Sequence, residues 1–168
     1  SGREAGTMTS RVLILGCSAT KAKGPILMPA WQRYDGPMWR TFRQYWDRER
    51  HEVWVLSAYH GLIRCTTKIE LYEQGLDDPD AYSDWRGTAK EKLLRFPVFV
   101  GDPLRKLLAR DIELTVMLGE GYRNVIGQWE LVLTQAGPST AKVRYVTRLA
   151  IGEQRVALRH WFEEHVPA

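Results

Sequence analysis

Val12-Leu13-Ile14-Leu15-Gly16-Cys17-Ser18-Ala19-Thr20-Lys21 is the stretch that decides the fold. Four apolar residues without polar alternation suit a strand buried on both faces, which belongs in a parallel sheet under helices. Gly16 closes the strand and a polar loop follows. The pattern recurs: Val53-Trp54-Val55-Leu56 runs into Ser57-Ala58-Tyr59-His60-Gly61-Leu62-Ile63, and Leu114-Thr115-Val116-Met117-Leu118 runs into Gly119-Glu120-Gly121-Tyr122-Arg123-Asn124. These strands predict an α/β fold, a single three-layer domain with a mainly parallel central sheet. Ligands of open α/β sheets sit beyond the carboxyl ends of the strands. Those ends carry Ser, Thr, Lys, Tyr and His, so a site is placed before a reaction is named.

Around this frame, Asp35-Gly36-Pro37 introduces a helix over about Met38 to Arg48, with Trp39, Phe42 and Trp46 on one face. The stretch 17–32 reads as a long loop broken by Gly24-Pro25 and Met28-Pro29. Asp80 or Ser83 is the expected cap of a helix over 81–95. Phe96-Pro97-Val98-Phe99-Val100 reads as a strand or an extended connector. Asp102-Pro103 opens a helix through Ala109. Trp129 to Leu133 and Val143 to Val146 read as strands, and Glu153 to His165 as a closing helix.

The 168 residues carry 24 Lys and Arg against 20 Asp and Glu, a mild basic excess that leans weakly towards a phosphorylated or polyanionic partner. No apolar run approaches the ~20 residues that span a bilayer, so no membrane association is expected. Cys17 and Cys65 are too few for a disulfide framework and have no His spacing for zinc, which points to a reducing cytoplasm with no metal or cofactor. Ser1 to Thr7 reads as an expression-tag remnant, leaving 8–168 as the α/β domain with Met8 as its start.

Each strand-end segment has a chemical reading. Cys17, Ser18, Thr20 and Lys21 supply a thiol, two hydroxyls and an ammonium that could cradle an anion, although the order is not that of a Walker A loop. Tyr34 and Gly36 lie before a helix start, where the phenol could stack on a planar base or donate to phosphate. Ser57 and Tyr59 line the second loop, and His60 could act as acid, base or phosphate donor. Tyr72 lies between two carboxylates, Glu70 and Glu73, either of which could position water or stabilise an oxocarbenium-like centre. Gly119 and Tyr122 form a third ligand-facing turn.

Taken together, Cys17-Ser18-x-x-Lys21, Tyr34-Asp35-Gly36-Pro37-Met38-Trp39 and Leu56-Ser57-Ala58-Tyr59-His60-Gly61-Leu62-Ile63 resemble a bacterial and phage family, the DUF6884 group, often labelled peroxide stress protein YaaA-like. Tyr72 with its following acidic residue and Leu118-Gly119-x-Gly121-Tyr122 fit its later blocks. The resemblance covers about residues 11–125. The chain departs from it in Glu73, where the family more usually has Asp, and in Trp39, where it often has Phe. It implies a uracil-DNA-glycosylase-like fold, and the Cys17, Lys21 and Tyr34 arrangement looks like the glycosylase-like domain of archaeosine synthases. The Gly-x-Asp-Pro-Tyr and His-Pro-Ser loops of uracil-DNA glycosylases are absent, which argues against simple uracil excision.

The expected function is an enzyme acting on a nucleotide or a modified DNA base, at the N-glycosidic bond or a base substituent. Lys21, His60 and Glu73 are its expected catalytic residues. Cys17, Ser18, Thr20, Tyr34, Gly36, Ser57, Tyr59, Tyr72, Gly119 and Tyr122 are its expected substrate contacts. The alternative is a non-catalytic DNA-binding stress protein that uses Arg40, Arg43, Arg48, Arg50 and the C-terminal basic residues, with salt-dependent affinity for duplex DNA and no turnover. A third reading, a stress protein acting through protein contacts, requires no pocket at the strand ends.

Overall fold

The computed structural model describes residues 10–80, 85–147 and 150–164. Its five-stranded sheet contains β1 (Ser10–Gly16), β3 (Glu52–Ser57), β4 (Gly61–Arg64), β6 (Ile112–Met117) and β7 (Lys142–Val146), in the order β4-β3-β1-β6-β7. β3, β1, β6 and β7 are parallel, and β4 is an antiparallel edge. A two-stranded ribbon pairs β2 (Met28–Pro29) with β5 (Lys68–Ile69). The helices are α1 (Ala30–Arg33), α2 (Pro37–Tyr45), α3 (Ala89–Arg95), α4 (Gly101–Leu108), α5 (Glu120–Ala136) and α6 (Ile151–Glu163). No described helix is long and apolar enough to cross a membrane.

The unbroken apolar run of β1 is explained by two cores, one on each face of the sheet. Val12 and Ile14 pack into a core with residues of α3, α4 and α5, including Leu93, Leu104 and Val125. Leu13 and Leu15 face the other way, onto Trp39 and Phe42 of α2 and Leu158, Trp161 and Phe162 of α6. Alternating side chains thus find apolar surface on both sides, as a central parallel strand requires.

From β1 the chain crosses to β3 on one side, then passes back over β1 to reach β6 on the other. Between β1 and β6 the connections leave in opposite directions, which opens a crevice at the carboxyl ends of these strands. The polar loops after Gly16, Ser57 and Met117 all emerge at that end.

Several expectations are corrected. Trp129 to Leu133 is not a strand but the middle of α5. Tyr122, Val125, Ile126, Trp129 and Leu133 share one helical face against the first core, a spacing of three and four rather than two. Phe96 to Val100 is a turn, not a strand, held by Phe99 N donating to Phe96 O at 3.3 Å. The helix expected over 81–95 begins at Ala89, capped by Thr88, whose side chain accepts from Glu91 N. That cap is Thr88 and not Asp80, which makes an ion pair with Lys92. Ser83 and residues 81, 82 and 84 lie outside the described part, as do the proposed tag remnant and His165. α2 stops at Tyr45 rather than Arg48, and its N-cap is Gly36.

The stretch 17–32 is not one loop, since it holds β2 and the start of α1, and Arg33 at the end of α1 pins the part before them. Arg33 is buried, and its guanidinium donates to the carbonyls of Ala22 at 2.9 Å, Pro25 at 2.7 Å, Ile26 at 3.2 Å and Ile69 at 3.3 Å. One cation thereby ties the loop after β1 to β5.

Gly61 joins β3 to β4 with φ +78°, and a Cβ there would overlap the Phe99 carbonyl. Both the left-handed backbone and the close approach require glycine. Gly61→Ala is expected to lower unfolding free energy by more than about 1 kcal/mol in urea denaturation, because the strain and the contact add.

Candidate functional site

The centre of the strand-end cluster is the phenol of Tyr72. It comes from the segment after β5, and Tyr34 and Ser57 meet it from two others. Tyr34 Oη lies 2.6 Å from Tyr72 Oη, and Ser57 Oγ lies 2.8 Å from it. Tyr34 and Ser57 are completely buried. Ser57 Oγ also accepts from the backbone N–H of Tyr59 at 3.1 Å and of His60 at 3.0 Å. A serine at the end of β3 thus fixes the turn that presents both aromatic residues.

Around the Tyr72 ring the partners are specific. Tyr59 stacks on it with ring centres 4.9 Å apart, and His60 meets it edge-on at 5.3 Å. Lys21 Nζ lies 4.5 Å from the ring centre, within cation–π range. Lys21 is held by an antiparallel bridge to Tyr34, flanked by Asp35 N donating to Thr20 O at 2.9 Å and Ala22 N to Arg33 O at 2.7 Å. The turn before α2 is fixed by Arg43, which donates to Tyr34 O at 2.8 Å and pairs with the Asp35 carboxylate. Asp35 therefore anchors Arg43, and Gly36 is the N-cap of α2. Gly36 is buried because Ser18 packs on it: a Cβ would lie 2.5 Å from Ser18 Oγ.

Across the crevice, Cys17 Sγ donates to the Tyr122 hydroxyl at 3.1 Å, joining the end of β1 to the first turn of α5. The turn expected at Gly119 to Asn124 is the start of this helix, with Gly119 as N-cap. Beside it, a cavity of about 190 Å³ is lined by Leu118, Gly119, Arg123 and Gln154 among others.

The structure brings Lys21, Tyr34, Ser57, Tyr59, His60 and Tyr72 into one cluster at the carboxyl ends of β1 and β3, with the Cys17–Tyr122 pair at the end of β1. Tyr34 lies beneath Tyr72 with no exposed surface, so its ring holds Tyr72 rather than offering a face to a ligand. Thr20, Glu73 and Gly119 are exposed at the rim. The two carboxylates divide their influence. Glu73 acts on Lys21, whereas Glu70 is the acidic neighbour that acts on His60. Sequence spacing alone does not separate these partners.

Burial governs the ionisation of the cluster. It lowers the Lys21 ammonium below its ordinary value, with Cys17 and Glu73 opposing the shift. Burial likewise lowers His60, with Glu70 opposing and Lys92 assisting. The phenols of Tyr34, Tyr72 and Tyr122 are pushed up, mainly by burial, and stay protonated. Among the described residues His60 Nε2 is buried without a hydrogen-bond partner.

Two supporting residues carried no usable sequence signal. Lys92 of α3 and Asp80 form an ion pair at 2.6 Å, with side chains 5% and 0% exposed. Lys92 Nζ also approaches Tyr59 O at 3.4 Å, which ties the pair to the turn carrying His60. A lysine on an amphipathic helix ordinarily faces water, and only the fold turns this one inwards.

A model of a family of unknown function, DUF6884, matches residues 12–160. No curated protein matches the chain.

Two outcomes test the cluster. Tyr72→Phe strands the hydroxyls of Tyr34 and Ser57, and is expected to destabilise by about 1–3 kcal/mol in chemical denaturation. For His60 the folded value lies below the ordinary 6.5. The unfolded chain then binds the proton more readily, so stability from neutral His60 is present above about pH 6.5 and is lost as pH falls. His60→Gln is expected to flatten this loss in a comparison of unfolding at pH 7 and pH 5.

Proposed function

The chain belongs to the DUF6884 family, whose function is unknown, and we propose that it binds a nucleotide or nucleic-acid base at the carboxyl ends of β1, β3 and β6 and acts on it. The reaction is one at the N-glycosidic bond or at a base substituent, and a modified DNA base is the preferred substrate. The observation that carries this reading is the unpartnered Nε2 of His60 inside a stacked aromatic and hydroxyl cluster at the carboxyl end of β3, beside that of β1.

The residues divide the work by chemistry. Half-buried Tyr59, seated on Tyr72, offers a ring to a planar base. Lys21, with the hydroxyls of Ser18 and Thr20, supplies donors to a phosphate. His60, neutral at pH 7, takes a proton from water or from the base, and Glu70 or Glu73 steadies the positive charge that develops. Tyr34 and Ser57 hold Tyr72 in place. The resemblance of Cys17, Lys21 and Tyr34 to the glycosylase-like domain of archaeosine synthases supports the same substrate class, as does the mild basic excess of the chain.

A thermal-shift series with nucleoside monophosphates and oligonucleotides carrying modified bases tests this. A true ligand at 100 times its Kd stabilises the folded state by about 2.7 kcal/mol. Lys21→Ala is expected to weaken phosphate-bearing ligands about tenfold or more. His60→Gln is expected to keep binding and lose turnover. Unchanged binding and turnover in both variants, or no stabilisation by any member of the series, overturns the reading.

A further inference from the structure

Ile26 is the most exposed large apolar side chain among the described residues, at 87%, and Leu27 beside it is 54% exposed. They form the tip of the loop between Lys21 and β2, while Leu71, 51% exposed, precedes Tyr72 in the chain. We propose that this apolar tip is a wedge that enters the base stack of a nucleic-acid duplex, so that the strand-end site takes its base out of a paired strand. The inference rests on the reading of that site as a base-binding site, and it names the form in which the base arrives.

The tip is built to keep its shape. Arg33, itself buried, donates to Pro25 O at 2.7 Å and to Ile26 O at 3.2 Å, and the same nitrogen reaches Ile69 O at 3.3 Å. One guanidinium thus holds the backbone that bears Ile26 against the segment that leads to Leu71 and Tyr72. Pro25 fixes its own φ directly before Ile26. An apolar side chain on a loose loop folds back onto the surface, whereas the anchored carbonyls hold Ile26 out in water. Single exposed apolar residues are ordinary, but two in succession on a pinned tip beside a site call for a partner.

The surroundings select that partner. The loop leaves from Lys21, whose ammonium lies 4.5 Å from the Tyr72 ring centre, and Leu71 adjoins Tyr72, so the tip is continuous with the strand-end site. Exposed Lys23 and Lys68 flank it. The acidic residues of the facing segment are Glu70 and Glu73, which act on His60 and Lys21 within the site. A few aliphatic side chains fall short of the surface that a stable protein interface buries, about 800 Å² on each partner. A base stack needs no more than that, because one or two apolar side chains between base steps part them. A base inside a duplex is also out of reach of a half-buried imidazole such as His60, and must first swing out. The apolar side chain in the vacated space then takes over the stacking that the base has lost.

Fluorescence anisotropy with three labelled DNAs of one sequence tests the wedge: the paired duplex, the duplex with one abasic site, and the single strand. The abasic duplex already holds a vacated space, so the protein is expected to bind it at least about tenfold tighter than the paired duplex. I26A/L27A is expected to weaken binding to the abasic duplex at least about fivefold and to leave the single strand within about twofold. Its melting temperature reports that the fold is kept. L131A/V132A, which removes two exposed apolar side chains from α5, is expected to leave all three affinities within about twofold. Absence of duplex binding, no preference for the abasic duplex, equal losses in the two variants, or an equal loss on the single strand overturns the proposal. So does I26A/L27A converting a dimer to a monomer in light scattering, or abolishing binding to vesicles of anionic lipid, since either gives the tip to a second copy or a membrane surface. Such a failure leaves the strand-end reading intact, because that reading is judged by Lys21→Ala and His60→Gln with nucleoside monophosphates.

Discussion

One hydroxyl, that of Tyr72, holds together the three segments that make the strand-end site. Proton counting gives the contact a direction. Ser57 Oγ accepts from two backbone N–H groups, which fills its lone pairs, so its own proton goes to Tyr72. Tyr72 and Tyr34 then share one further bond, which leaves one O–H of that pair for an acceptor outside the trio. The turn bearing Tyr59 and His60, the bridge bearing Lys21 and the segment bearing Glu70 and Glu73 all depend on this link. Sequence distance does not weaken it: Tyr34 and Tyr72 are 38 residues apart and meet with the rings edge to face.

The parallel strands were legible because burial on both faces leaves a plain mark, an apolar run ending in glycine or serine. The β4 edge left a fainter one, since Gly61-Leu62-Ile63-Arg64 is short and its exposed Arg64 breaks the run. The reading of Trp129 to Leu133 failed because five residues hold too little of either period to decide between them. The longer window from Tyr122 to Leu133 decides for a helix, since exposed Leu131 and Val132 fall off the buried face. Residue type alone could not place Asp80, because caps and ion pairs draw on the same carboxylate.

Within the site, the residues adjacent in sequence were the easiest to read. Ser57, Tyr59 and His60 follow a buried strand, and a serine there bonds its own turn. Tyr34 was read as facing a ligand, yet a phenol before a helix can equally turn inwards, and here Tyr72 gives it a buried partner. Arg33, Lys92 and Asp80 were not legible as support, because each needs the folded chain to bring a distant partner. Arg33 finds four carbonyls from three separate stretches, and no local pattern announces that.

The placement of buried polar groups bears on why the crevice exists at all. Among the described residues, Arg33, Ser57, Asp80 and Lys92 are four of the seven buried polar or charged residues, and all four support the strand-end loops. Burying a charge is unfavourable unless it is fully paired, and apolar replacements of similar volume are often as stable. A chain selected for stability alone would fill this end of the sheet as it fills the faces of β1, with leucine, valine and isoleucine. Instead it holds Lys21, Tyr59 and His60 over a polar floor and keeps a buried imidazole nitrogen without a partner. Stability conceded at one end of the sheet, beside two dense apolar cores that supply it, is the pattern expected where side chains are positioned for chemistry rather than for packing.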